Sequence, residues 1–237
     1  MNGFFITGTD TDIGKTVLSS LLLAQFRKNG TNALPMKPVQ TGCKNNIPDL
    51  DYILSMNTIE TNSELISLMA PACYTHACSP HLAGAMENNP IEISQLLPPF
   101  IQLQKQADIL LLEGAGGVLV PINKKENMLD LMNILQLPVI IAARPGLGTI
   151  NHSLLTIQSL RDKEIDIAGI VFMHSHEQSG DFTEEDNKKT IAELGNIEIL
   201  GTISYLREMH TPYPPKFSNL PASIKNEVCS IVDKLCP

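Results

Sequence analysis

The segment Gly8-Thr9-Asp10-Thr11-Asp12-Ile13-Gly14-Lys15-Thr16 gathers the residue types that hold a polyphosphate. Glycine lets backbone N–H groups approach phosphate oxygens, a lysine neutralises them, and the neighbouring hydroxyl can bind Mg²⁺. The setting fits that chemistry. Gly3–Thr7 is a short β-rich run, and Val17, Leu18, Leu21, Leu22 and Phe26 follow at helical spacing. A strand-to-helix turn aims free N–H groups and the positive end of the helix dipole at an anion. Nucleotide binding is therefore expected through Asp12, Ile13, Gly14, Lys15, Thr16 and Val17, with Lys15 on the β and γ phosphates. Five residues separate Gly8 from Gly14, one more than usual, so Thr9 stands at the usual first-glycine place.

A nucleotide-bound Mg²⁺ also needs carboxylates, because it keeps octahedral oxygen coordination with few protein ligands. Glu113 ends the apolar run Asp108–Leu112 and is followed by Gly114-Ala115-Gly116-Gly117, which reads as a small-residue loop. A carboxylate at the carboxyl tip of a central strand faces such a phosphate loop. Asp51, opening the run Asp51–Met56, is the second candidate, and Asp49 competes with it. The expected metal set is Thr16, Asp51 and Glu113.

These residues need a frame. Ala33–Lys37 reads as a second strand, edge or irregular because of Pro35 and Pro38. Asp108–Leu112, Leu137–Ala142, Ile167–Met173 and Glu198–Ile203 read as further strands, the first two as continuous apolar runs covered on both faces. Helical patterns lie between them: Asp51–Met56, Ser63–Met69, Ile93–Gln106 (kinked or split by Pro98-Pro99), Glu126–Leu135, Thr149–Arg161, Glu184–Leu194 and Pro221–Lys234. Ser204–Asn219, with Pro212, Pro214 and Pro215, reads as loosely held. Strand alternating with helix implies an α/β fold, a mostly parallel central sheet with helices on both faces and right-handed crossovers. Residues 1–237 are read as one domain of this phosphate-loop class. Ligands of such sheets bind at the carboxyl ends of the strands.

Composition narrows the function. With 43% hydrophobic and 18% charged residues among 237, the chain can bury a full core, which argues against disorder. A net charge of −8 and the lack of Lys/Arg runs beyond Lys124–Lys125 and Lys188–Lys189 argue against a nucleic-acid partner. No apolar run approaches a membrane span, and the opening Met1–Phe4 has no basic export stretch. Five cysteines, an odd number without a C-x-x-C, are expected as reduced thiols in a cytoplasmic protein. Cys73-x-x-His76-x-Cys78 fits no common zinc spacing.

Taken together, Gly8–Thr16 (GTDTDIGKT), Lys37-Pro38-Val39-Gln40-Thr41-Gly42, Ser79-Pro80-His81, Glu113–Gly117 and Leu147-Gly148-Thr149-Ile150-Asn151-His152 resemble the dethiobiotin synthetase family. The resemblance runs in order from residue 3 to about residue 175. It implies closure of a cyclic urea on 7,8-diaminopelargonate with CO₂ and ATP. An amine attacks CO₂, the carbamate oxygen attacks the γ-phosphate, and the second amine closes on the carbonyl and expels phosphate. On this resemblance Lys37 is the catalytic lysine and, with Lys15, flanks the transferring phosphoryl group. Thr11 and Thr41 hydrogen-bond the carbamate or diamine, and Asp12 sits beside them, orienting Lys37 or an amine. Gly114, Ala115 and Gly116 pack against nucleotide and substrate. Ser79, Pro80 and His81 line the substrate side, and Asn151 helps bind the substrate carboxylate across a homodimer interface. For His81 and His152 a packed histidine is favoured over a general base. One departure stands out: where the family commonly has an Asn reading the adenine edge, this chain has Met173. The rival class is a chromosome-partitioning or division-site ATPase. Those usually carry an extra lysine near the first glycine, where this chain has Thr9, Asp10 and Thr11.

Overall fold

The computed structural model describes residues 3–177 and 182–236; Met1 and Asn2, part of the opening stretch read above, lie outside them. In chain order the elements are β1 (Gly3–Gly8), α1 (Lys15–Lys28), β2 (Ala33–Met36), β3 (Val39–Thr41), α2 (Pro48–Asn57), α3 (Ser63–Met69), β4 (Ala72–Tyr74) and α4 (Pro80–Met86). There follow α5 (Ile93–Gln104), β5 (Ile109–Gly117), α6 (Met128–Leu135), β6 (Val139–Ala143), α7 (Thr149–Arg161), β7 (Ile167–Met173), α8 (Phe182–Gly195), β8 (Ile199–Ile203) and α9 (Ala222–Leu235).

Six strands form one parallel sheet in the order β2-β5-β1-β6-β7-β8. The apolar runs form strands because successive side chains point to opposite faces and both faces are covered. Phe5, Leu110, Leu112, Val139 and Ile141 enter one core, with residues of α5, α6 and α7. Their neighbours Phe4, Ile6, Leu111, Ile140 and Ala142 enter the other, with α1, α2 and α9. The chain passes from β1 over β5 to the edge strand β2, so the strand order reverses beside β1. The crevice at that reversal is where open α/β sheets bind ligands. The edge position of β2 suits Pro35, which has no N–H for a second neighbour.

Register sets the site. Ile6 pairs with Glu113 and Met36 with Leu112. Lys37, just past the end of β2, and Glu113, within β5, therefore lie side by side, next to the loop that follows β1.

Several expectations are corrected. Gly114–Gly117 is not a loop: β5 runs through it, with Gly8 paired to Gly117 after a register shift. Pro98 and Pro99 do not split α5; a Glu92–Gln95 capping box starts it, and Ile93, Leu96, Phe100 and Leu103 anchor it in the core. Helix α2 begins at Pro48, ahead of Asp51. The small parallel pair β3–β4 and the short helix α4 were not expected. Ser204–Asn219 is not loose: it holds two 3₁₀ turns, Met209 and Phe217 are buried, and Tyr52 Oη donates to Met209 O at 2.6 Å. Burying two such side chains contributes about 1.5–3 kcal/mol each.

Candidate active site

The loop between β1 and α1 has the geometry of an anion cradle. Gly14 precedes the helix at φ 96°, with no side chain capping the first N–H groups. Those donors are left for a ligand. A Cβ at Gly14 would lie 3.3 Å from the Met173 side chain, and Asp12 is itself left-handed at φ 53°. Lys15 Nζ folds back over the loop and donates to Asp10 O at 2.9 Å. Arg144, unremarked in the sequence, donates to Thr11 O at 3.3 Å and lies 3.6 Å from Asp10.

Beside the loop, Lys37 is 4% exposed and Glu113 1%. Lys37 Nζ donates to Glu113 Oε1 at 2.8 Å and to Gly114 O at 3.1 Å, and meets Asp49 Oδ2 at 2.6 Å. Thr16 Oγ1 donates to the same Glu113 oxygen at 2.8 Å. Burial opposes a charge on Lys37, but Glu113 and Asp49 more than offset it and hold its pKa above that of an ordinary lysine. Burial lowers the pKa of Lys15; Glu113 pulls the other way, and the Lys37 charge adds to the drop. Asp49 is also resisted by burial, yet the Lys37 charge and a hydrogen bond from Gln40 bring its pKa below the usual aspartate value. Burial raises Glu113 against the pull of Lys37, with Asp49 adding to the rise. The ammonium is thus charged, and the unrelieved demand sits on Glu113, whose Oε2 is buried without a partner.

A cavity of about 430 Å³ joins these groups. Thr11 to Val17, Lys37, Thr41, Asp49, Glu113, Ala115 and Gly116 line it, together with Met173, His174, Ser175 and His210. Gly114 is present through its carbonyl at Lys37. The structure therefore brings together most of the residues singled out in the sequence.

It does not bring in Asp51. That side chain is exposed, and its Oδ2 accepts from Ile47 N at 3.1 Å at the start of its own helix. Because α2 starts at Pro48, Asp49 occupies the first turn facing Lys37, and Asp51 lies roughly 200° further round. Ser79, Pro80 and His81 sit apart: Ser79 Oγ and His81 Nδ1 are 3.0 Å from each other, and His81 lines a different hollow, with Asn88 and Lys124. Asn151 is exposed on the first turn of α7 and lines none of these cavities. His152 faces a third hollow beside Thr9–Thr11, with Leu119 and Leu155. Among the described residues no group of three or more His, Cys, Asp or Glu could by itself hold a metal.

Sequence reasoning missed Gln40 and His210. Gln40 is buried, lines the cavity and braces Asp49, and it lay within the K-P-V-Q-T-G stretch. Nothing in the sequence marks His210, which folding carries in from a distant turn.

Comparison with known proteins follows from this geometry. Residues 2–212 match a family model described as an AAA domain. The chain is 38% identical over 219 residues to the ATP-dependent dethiobiotin synthetase of Thermodesulfovibrio yellowstonii, covering 88% of this chain and 90% of that one. The chain belongs to the dethiobiotin synthetase family. The enzyme of that name from Bacillus subtilis is 34% identical, covering 85% of this chain and 86% of its own. Among solved structures, the septum site-determining protein MinD of Pyrococcus horikoshii, in complex with Mg-ADP, superposes with a TM-score of 0.65 at 12% identity, covering 100% and 96% of the two chains. A ParA family ATPase from Chlorobium tepidum gives 0.61 at 12%, covering 100% of both. These likenesses show a shared phosphate-loop NTPase-like fold and nothing finer. Dethiobiotin synthetases and the division-site ATPases are thus two uses of one frame, and among described residues no helix here is long and apolar enough to cross a membrane.

Proposed function

We propose that the chain is an ATP-dependent cyclo-ligase that closes the ureido ring of dethiobiotin from 7,8-diaminopelargonate and CO₂, releasing ADP and phosphate. The observation that carries the reading is Lys37: a buried ammonium held between Glu113 and Asp49 at the mouth of the phosphate loop. The first N–H groups of α1 and Lys15 take the phosphates of ATP. The first amine, neutral, adds to CO₂. Lys37 and Lys15 then hold the negative charge that gathers as the carbamate oxygen attacks the γ-phosphorus. Such fixed charge in a water-poor site is the main source of rate where anion approaches anion. Thr11, Asp12 and Thr41 on the rim orient carbamate and diamine. The second amine attacks the carbonyl of the carbamic–phosphoric anhydride, and phosphate leaves.

The donor set suits Mg²⁺. The Glu113 Oε2 left without a partner among the described residues, the Asp49 carboxylate and the Thr16 hydroxyl are hard oxygen donors on residues that line one cavity. Bound there, Mg²⁺ would offset the charge on the phosphates. Asp49 takes the part first expected of Asp51.

A homodimer accounts for Ser79, Pro80, His81 and Asn151, which lie outside the Lys37 cavity of their own chain and can serve a partner's substrate. Exposed Leu119, Leu147 and Leu155 near Asn151 and His152 support that contact. The odd count of five cysteines without a C-x-x-C supports a cytoplasmic location.

Incubation with the diamine, bicarbonate and Mg-ATP should release phosphate and form dethiobiotin. Phosphate release indifferent to the diamine would reject the reading.

A further inference from the structure

Beyond the ligase chemistry, two cysteines that the proposed mechanism leaves unused lie behind the cavity wall formed by Gln40, Thr41 and Gly42: Cys43 follows Gly42 in the chain, and Cys73 is paired with Gln40. Strands β3 and β4 run parallel, with Gln40 opposite Cys73 and Thr41 opposite Tyr74. Gly42, at φ 79°, then turns the chain back: Gly42 N donates to His76 O at 3.3 Å, and Cys43 N to Tyr74 O at 2.8 Å. This reversal hydrogen-bonds Cys43 to Tyr74, the strand neighbour of Cys73, and brings the two thiols close enough to act on each other electrostatically. Cys73 is exposed because strand alternation buries its neighbours Ala72 and Tyr74. Its S–H points to Ala70 O at 3.6 Å, which leaves sulfur lone pairs for Cys43. Cys43 is half-buried behind it.

We propose that Cys43 and Cys73 are an oxidisable pair whose reversible disulfide clamps the rim of the Lys37 cavity. The exposed Cys73 thiolate attacks a peroxide oxygen, giving a sulfenic acid and hydroxide. Cys43 sulfur then attacks the Cys73 sulfur; the S–O bond breaks and water leaves. Two thiols lose two electrons, and hydrogen peroxide becomes two waters. Burial, helped by the neighbouring Cys73, pushes the Cys43 thiol up to about 12; burial also raises Cys73, although Cys43 pulls it back down. The pair is therefore slow to oxidise at neutral pH and faster as pH rises. Bond formation pulls in Cys43, one residue from Gly42 and two from Thr41, both of which line the cavity. A shift of about 1 Å in positioning groups can reduce turnover by as much as 10²-fold.

The regulatory half rests on the proposed function; the cross-link does not. The test treats the full chain with hydrogen peroxide, maps peptides without reductant, and follows diamine-dependent phosphate release in parallel. The expected result is a Cys43–Cys73 linked peptide and a loss of turnover of at least ~5-fold, both reversed by dithiothreitol. Cys43→Ser and Cys73→Ser should form no such link, keep their initial rates and resist that reversible loss. Sulfinic acid on Cys73 with Cys43 untouched, or linkage only to other cysteines, overturns the pair. A full-yield cross-link with unchanged turnover overturns the clamp. If the untreated chain shows no diamine-dependent activity, the mapped peptide still decides the cross-link, and the ligase reading is what fails.

Discussion

At Lys37 a single side chain carries both structure and chemistry. Removing its charge leaves Glu113 and Asp49 facing each other with their shared partner gone and, in the proposed mechanism, takes away the cation beside the transferring phosphoryl group. Lys37→Gln is expected to lower turnover by about 10²-fold or more while ADP still binds, read by phosphate release and calorimetry. An unchanged rate would remove Lys37 from the mechanism. The two aspartates of α2 separate cleanly. Asp49→Asn should raise the Mg²⁺ concentration needed for half-maximal rate by about tenfold or more, whereas Asp51→Asn stays within about twofold of the parent. The reverse order would return the role to Asp51. Asp49 also has a pH signature. Its folded pKa lies below the ordinary 3.8, so the stability it contributes is complete above that value and disappears as pH falls through the folded pKa. Melting temperature against pH should therefore fall less steeply in Asp49→Asn than in the parent below about pH 4. Asp49 was legible only as a competitor, because choosing between two carboxylates two positions apart requires the start of their helix, and boundaries are the weakest part of pattern reading.

At the scale of elements, the phosphate loop, β5 and the K-P-V-Q-T-G segment work because strand register sets Ile6, Glu113 and the end of β2 side by side. Most of this was readable. Long apolar runs announce buried strands, and a strand–loop–helix passage announces the anion cradle. Three-residue strands such as β3 and β4 were not readable, since they are shorter than one clear alternation. Nor was the continuation of β5 through Gly114–Gly117, where small residues read as loop but fit because Phe5 lies 2.9 Å from where a Gly114 Cβ would be. Gly14 tests the loop as an element. Gly14→Ala forces a left-handed alanine against Met173, which is expected to destabilise the fold by about 1–2 kcal/mol. Nucleotide affinity should drop with it, as the first N–H groups of α1 turn away from the phosphates. Thermal melting and ADP titration would measure both, and wild-type values in each would show that the tight approach is not needed.

On the scale of the whole molecule, the cavity at Lys37 is built within one chain, whereas Asn151 and the Ser79–His81 turn face elsewhere. An assembly that joins them should sediment as a dimer at micromolar concentration. Leu155→Glu, on the exposed face of α7, should shift it towards monomer and lower turnover without unfolding it. A parent that sediments as a monomer under turnover conditions would leave Asn151 without a role. The solved neighbours at 12% identity, a septum site-determining protein and a ParA family ATPase, share this frame, so the frame alone does not decide chemistry. By itself the sequence determined the parallel sheet and the phosphate loop, because each is written in local order: apolar runs alternating with helical spacing, and glycines at a turn. Only the tertiary structure set Lys37 against Glu113, turned Asp49 rather than Asp51 towards Lys37, brought Gln40 and His210 to the cavity, and placed Cys43 close to Cys73. Those outcomes depend on helix phase, strand register and chain reversal, which link residues far apart and leave no periodic trace in the chain.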